Sequence, residues 1–344
     1  MQETTGRLPL AWAVLMGSTA FAAAEEINIY NWGNYTSPEM VEKFEEQTGI
    51  SVSITDYDSN DTAIARIRRG GHGFDIVMPS NSYVPIWIEE GLVQPLDTGI
   101  VTDLDNIEAQ WRDPEFDPGR EYSVPWAWGS TGVAVNTSSY DGDIHTSDIF
   151  LDPPEELRGN INVVPEMVDV MHLAANHAGG ERCTDDPEVL RTMRDTLTEA
   201  REHWISLDYG TIDSYTEGDF AAGVYWNGDT LRARLADPDI AYGYPQEGFP
   251  IWMDNAMVLA DAQNPDAAMQ FINFILQPEN AGMNSNFHRF ASGIAGAEEY
   301  MDPEMIDAPE IVIPEDLAGA GEFTRTCPSE VNDIYTQIWS ELLQ

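Results

Sequence analysis

A chain of 344 residues with 42% hydrophobic content can bury the cores of two domains, and wholesale disorder is excluded. Its 60 acidic residues face only 16 basic ones, for a formal net charge of −44, and Lys43 is the sole lysine. Nucleic acid and anionic membrane surfaces demand a basic face, so neither is a partner; the acidity itself fits a solvated surface suited to high salt or a field that steers a cationic ligand.

The first element is a processing signal. The stretch "LPLAWAVLMGSTAFAAA" (Leu8 to Ala24) is apolar and ends in small residues, as a signal-peptide core with an A-x-A cleavage site does. At 17 residues it is shorter than the roughly 20 needed to span a bilayer. Residues 1–24 are therefore expected to be removed on export, leaving a soluble protein that starts at Glu25. No Cys follows the site, so no lipid anchor is expected.

Strands and helices then alternate. "INIYNW" reads as a strand whose regular run, Ile27 to Tyr30, stops at Asn31. Trp32 and Tyr35 follow in a turn where water is expected to reach their rings. "SPEMVEKFEEQTG" reads as a helix with Ser37 as N-cap, Pro38 in the first turn, Gly49 as the stop and Met40, Val41 and Phe44 as the buried stripe. "ISVSITDY" alternates as a strand and "DTAIARIRRGG" is a short helix ended by glycines. "FDIVMPS" is a third strand and "YVPIWIEEG" a third helix. Strands separated by helices imply parallel pairing in a layered α/β domain. Ligands of such sheets bind outside the carboxyl ends of the strands, where the loops Asn31–Tyr35 and Pro79–Ser82 emerge.

Further along, "SVPWAWGSTGVAVN" (Ser123 to Asn136) reads as extended chain crossing between lobes. "EVLRTMRDTLTEAREHW" (Glu188 to Trp204) reads as a helix, and "AAGVYWNGD" as a strand followed by a turn. "FPIWMDNAMVLA" (Phe249 to Ala260) is extended. "PDAAMQFINFIL" is a helix burying Ala268, Phe271, Ile272 and Ile275. Cys183 and Cys327 are the only cysteines. In an oxidising compartment they form either a disulfide closing a long loop or two separate thiols.

Catalytic and metal motifs are absent. There is no G-x-S-x-G elbow and no H-E-x-x-H. The six histidines are scattered. "RRGGHGFDI" leads into a strand, so no helix N-terminus follows to cradle a phosphate. "DYDSNDT" lacks the Gly and distal Glu of a calcium loop. No cofactor is expected. What recurs is tryptophan beside an amide or acid: "WGN" (Trp32, Asn34), "WNGD" (Trp226, Asn227, Asp229) and "WMD" (Trp252, Asp254). Tryptophan faces hold organic cations, and a neighbouring carboxylate supplies the counter-charge. Each tryptophan alone is also compatible with an ordinary core.

"IYNWGNY", "YDSNDT", "GFDIVMPSNSYV", "GLVQPLD", "YSVPWAWGSTGVAVN", "VYWNGD", "PQEGFPIWMDNAMVLADAQNP" and "AMQFINFILQPE" resemble, in this order, segments of the spermidine/putrescine-binding proteins of bacterial polyamine importers. The resemblance implies an α/β, periplasmic-binding-protein type II fold. Two lobes, 25–130 plus 254–298 and 131–253 plus 299–344, would be joined by crossing strands around an interlobe cleft. It also implies a periplasmic, monomeric, non-enzymatic receptor that delivers a polyamine to the permease subunits of an ATP-binding-cassette importer. By that resemblance Trp32 and Tyr35 pack on the polyamine chain and Ser80 offers a hydroxyl. Glu166 and Asp169 hold an amino group, Trp226 and Trp252 are aromatic walls, and Asp254 faces an inner amine. Departures fall at Gly33-Asn34, where the family has a hydroxyl and an acid, and at Ser82 and Phe290, where it has tyrosines. Thr324 replaces a glutamine. These departures leave the ligand's length open. The rival readings are a receptor for another small cation, a polyamine sensor, and a hydrolase or transferase using Glu166, Asp169 and Asp254.

Overall fold

The computed structural model of the chain describes residues 25–209 and 212–343, so the expected signal peptide, residues 1–24, lies outside the described residues. The first third runs β1 (Glu26–Trp32), α1 (Pro38–Thr48), β2 (Ser51–Tyr57), α2 (Asn60–Arg68), β3 (Ile76–Val77) and α3 (Val84–Glu89). The middle runs β4 (Ser123–Asn136), α4 (Asp148–Leu151), β5 (Ile161–Val163), α5 (Met167–His177), α6 (Pro187–Arg201), β6 (Trp204–Leu207), α7 (Ile212–Thr216), β7 (Ala222–Trp226), α8 (Asn227–Ala236) and β8 (Ile240–Gly243). The chain closes with β9 (Phe249–Val258), α9 (Pro265–Ile275), α10 (Pro278–His288), α11 (Pro303–Ile306), β10 (Gly321–Phe323) and α12 (Ser329–Leu342).

One continuous sheet has the order β2-β1-β3-β9-β4-β7-β5-β6, with β10 added to β9 and β8 to β4. β1 pairs in parallel with β2 and β3, and β5 pairs in parallel with β6 and β7, as intervening helices require. β4 and β9 run antiparallel along the middle. The long β4 changes partners midway. Its first half, through Ser130, faces β9; from Thr131 it faces β7, and from Val133 β8.

Local chemistry explains the helix limits. Ser37 accepts from the Met40 N–H, Pro38 opens α1, and Gly49 stops it in the left-handed conformation at φ 74°. Met40 and Phe44 face the core, while Val41 is only partly buried. α9 buries Ala268, Phe271, Ile272 and Ile275 as its periodicity predicts. Four expectations are corrected. β1 does not stop at Asn31, because ladder pairing with β2 continues to Trp32 opposite Tyr57. β3 shrinks to two residues. The buried Asp75 carboxylate turns aside to accept from the backbone N–H groups of Asn28, Gln263 and Asn264. α6 ends at Arg201, and Trp204 instead opens β6, its indole donating to the Phe150 carbonyl. No loose turn follows β7, since α8 starts at Asn227 directly after Trp226.

Cys183 and Cys327 are disulfide-bonded, with Cα atoms 5.3 Å apart across 144 residues of sequence. The bond ties the loop between α5 and α6 to the segment entering α12, which packs on both helices.

Candidate functional site

The loops leaving β1, β3, β5 and β7, together with β9, converge on one cleft. All eleven residues singled out from the sequence line it: Trp32, Asn34 and Tyr35 after β1; Ser80 and Ser82 after β3; Glu166 and Asp169 at the start of α5; Trp226 ending β7; Trp252 and Asp254 in β9; and Phe290 after α10. The structure adds Asn60, Tyr209 and Asp229. Tyr209 follows β6, a strand the sequence does not announce because its first residue, Trp204, continues the helical pattern of α6. Asp229 sat within the quoted "WNGD", but only the helical start of α8 turns it inward.

The aromatic rings are enclosed rather than open to water, with Trp32 at 7% exposure and Tyr35 at 6%. The extension of β1 draws the Trp32 ring over Tyr57, and both donate to the Met78 carbonyl, at 3.1 and 2.6 Å. Tyr35 packs edge-on to Phe290, which meets Trp252 the same way. Opposite stand Trp226 and Tyr209, ring centres 5.2 Å apart. Trp252 passes so close to β4 that only glycine fits at position 129: an added Cβ would lie 2.8 Å from its ring. Asn34 differs from these residues. It is exposed at the rim and holds φ 60°, a left-handed conformation that Asn and Asp tolerate.

The acids are held by designed-in donors. Asn60 fixes Ser80 through two hydrogen bonds, and the Ser80 hydroxyl donates to Asp254 at 2.7 Å. Asp169 accepts from Thr131 at 2.6 Å and from the Trp226 indole at 3.3 Å. Asn81, between the two serines, bonds in both directions to the backbone of Met253 and accepts from Thr324, locking the β3 loop to β9. Several polar atoms are left without partners: Glu166 Oε1, the Trp252 indole N–H and the Tyr35 hydroxyl. The last lies beside Asp254 but outside good hydrogen-bond geometry.

Among the described residues no Lys, Arg or His lines the cleft, yet four carboxyl groups do. Burial is the main cause of their raised pKa values. Asp254 is pushed up to about 7, with Ser80 and Tyr35 offsetting part of the effect. Asp169 is raised to about 6, held there by Thr131 and Trp226. Asp229 is raised to about 6 even with Arg232 3.4 Å away. Glu166 is raised well above the carboxylate range, by burial and then by repulsion from Asp169 and neighbouring acids. The cleft is a concentrated deficit of positive charge between aromatic faces.

The deficit has a consequence for stability. These groups bind protons more tightly folded than unfolded, where carboxyls titrate near pH 4. Their contribution is fully present below about pH 4 and is lost as pH rises through about 6 to 7. Ligand-free protein should therefore melt several degrees higher at about pH 5 than at about pH 8. Asp254→Asn should narrow that gap, and scanning calorimetry at the two pH values checks both. An equal melting temperature would mean the cleft carboxyls are ionised throughout.

Comparison with known proteins gives a consistent picture. The spermidine/putrescine-binding periplasmic protein of Salmonella typhimurium is 28% identical, with 99% of each chain covered. The putrescine/agmatine-binding protein of Pseudomonas aeruginosa is 25% identical, with 97% of each covered. The solved spermidine/putrescine transporter substrate-binding protein of Streptococcus pneumoniae superposes with a TM-score of 0.79 at 26% identity, covering 93% of this chain and 98% of that one. The fold is thus the type II periplasmic-binding-protein architecture. Among the described residues no helix is long and apolar enough to cross a membrane. The family model for bacterial extracellular solute-binding proteins matches residues 39–312. The hydrolase or transferase reading is set aside, and the chain belongs to the bacterial extracellular solute-binding proteins, which bind solutes rather than transform them.

Proposed function

We propose that the cleft captures a linear polyamine, putrescine or spermidine, and delivers it to the membrane permease subunits of an ATP-binding-cassette importer. The observation that carries this reading is the cleft's composition: four carboxyls, three of them buried, and six aromatic rings, with no basic side chain among the described residues. A polyamine is the complement of such a site. Its methylenes suit the ring faces, and its ammonium groups gain about 2 kcal/mol or more from a desolvated cation–π contact. In this reading Asp254 with Ser80 holds one ammonium, and Glu166 with Asp169 holds another. Trp32, Tyr35, Trp226, Trp252 and Phe290 enclose the chain, while Ser82 and Asn34 edge it. The names of the relatives support the same ligand class.

The protein acts as a periplasmic monomer after removal of residues 1–24, in this proposal. Its lobes are 25–130 plus 254–298 and 131–253 plus 299–344, a division supported by the change of β4 partners after Ser130. Mass spectrometry of the small molecule released from purified protein should yield a polyamine. Release of another solute, with no rise in melting temperature on adding putrescine or spermidine, would overturn the reading.

Ligand length turns on the third amine of spermidine. Asp229 lines the cleft, but Arg232 already meets part of its charge. At the rim Asn34 accepts hydrogen bonds without supplying charge. Putrescine should therefore bind as well as spermidine, or within about tenfold of it. Adding an acid there should favour spermidine. The left-handed backbone at Asn34 makes Asn34→Asp the least strained way to do so. Competition calorimetry should show this variant gaining more for spermidine than for putrescine; equal gains or none would place the third amine elsewhere.

A further inference from the structure

Beside the cleft lies a second cavity that shares Ser82, Val168 and Thr324 with it. Its charge character is opposite. The chain carries 16 basic residues in all, yet Arg68, Arg182 and Arg325 line this one space. Arg68 is already engaged in a bidentate pair with Glu90. Arg182 is not satisfied: its Nε and Nη1 atoms are buried without hydrogen-bond acceptors. His172, only 3% exposed, likewise has a buried Nε2 without a partner. The nearest acid, Glu322, is about half exposed and stands 3.6 Å from Arg182 Nε and 3.8 Å from His172 Nε2, beyond hydrogen-bond reach.

The disulfide explains why like charges are gathered here. Arg182 precedes Cys183 and Arg325 lies two residues before Cys327, so the covalent tie holds both guanidinium groups at one wall. Burial, and then the Arg325 charge, lower the Arg182 pKa; Glu322 and Glu115 offset only part of this. Burial and Arg182 push His172 down to about 3, so its ring is neutral at working pH and adds no charge to this wall. Buried donors left unpaired are costly, and native structures rarely tolerate several in one place. The remaining wall is mixed: Asp61, which accepts from the Tyr83 hydroxyl at 3.1 Å, and several threonines line it, while Ile86, Met167 and Trp339 supply an apolar part.

We propose that this cavity is a second binding site, for a small organic carboxylate. Its head group pairs with the Nε–H edge of the Arg182 guanidinium and with the His172 ring, and its apolar body rests against Met167, Ile86 and Trp339. A guanidinium fork matches a carboxylate in a bidentate way that a spherical halide cannot use. The site goes beyond the cleft and does not depend on what the cleft binds.

The test uses the full mature chain with benzoate as probe, read by calorimetry and tryptophan fluorescence, against matched sodium chloride. Benzoate should bind one to one, equally well with and without saturating putrescine. Arg182→Gln should weaken it by about tenfold or more, as loss of a charged hydrogen-bond partner does. Arg325→Gln, at an exposed position that folding tolerates, should weaken it less, and neither variant should alter putrescine affinity. Four results would overturn the proposal: no benzoate binding up to about 10 mM, chloride competing as well as benzoate, benzoate excluded by putrescine, or unchanged benzoate affinity in both arginine variants.

Discussion

Asp254→Asn should weaken polyamine binding by about 2–5 kcal/mol, roughly thirty- to several-thousand-fold, because it strips the charge from an enclosed ammonium–carboxylate pair. Asp254 is 5% exposed, and its main partner is a neutral hydroxyl, Ser80. Among the described residues no basic side chain of the cleft competes for its charge. Asparagine keeps the shape and the hydrogen bond from Ser80 and removes only the charge. The same change should raise the melting temperature of ligand-free protein near pH 8, since it abolishes a costly buried charge. Weaker binding in a more stable protein cannot be ascribed to misfolding. Calorimetry showing less than about a threefold loss of affinity would remove Asp254 from the site.

The disulfide carries the second large effect. A bond closing a loop of 144 residues contributes about 4–5 kcal/mol by restricting the unfolded chain. The Cys183→Ser, Cys327→Ser double variant should melt on the order of 10 °C lower. Since the bond also fixes the arginine wall of the second cavity, the variant should lose benzoate affinity along with stability. Putrescine binding, measured well below the new melting temperature, should be largely retained, because neither cysteine lines the cleft. A double variant melting within about one degree of the parent would show that packing of α12 on α5 and α6 suffices.

Much of the cleft was legible because its residues sit where short-range signals are strongest. Ser37, Pro38 and Gly49 mark the ends of α1, and those ends aim the β1 loop that bears Trp32 and Tyr35. Trp252 and Asp254, two residues apart, share one face of a strand that reads as extended from Phe249 onward. Other features depend on distant partners. Burial of Trp32 rests on Tyr57 and the Met78 carbonyl, which are far away in sequence. Asp229 reaches the cleft only because α8 begins without a turn, and no capping side chain announces that start. Tyr209 was hidden when the periodicity of α6 was carried through Trp204. The indole of Trp204 is recruited instead by the Phe150 carbonyl, across fifty-four residues. The pairing of the cysteines was open in the sequence, because two thiols can always remain apart. The arginine cavity was invisible there, since Arg182 and Arg325 become neighbours only through the disulfide.

The most direct test of the account is a calorimetric titration of ligand-stripped protein with putrescine near pH 7, in two buffers of different ionisation enthalpy. Asp254 is about half protonated there, and Glu166 is raised as well, so an entering dication must displace protons. Binding should be one-to-one with net release of protons, and affinity should fall as the pH is lowered. Putrescine that gives no binding heat in either buffer, or that binds with no proton exchanged, would contradict it.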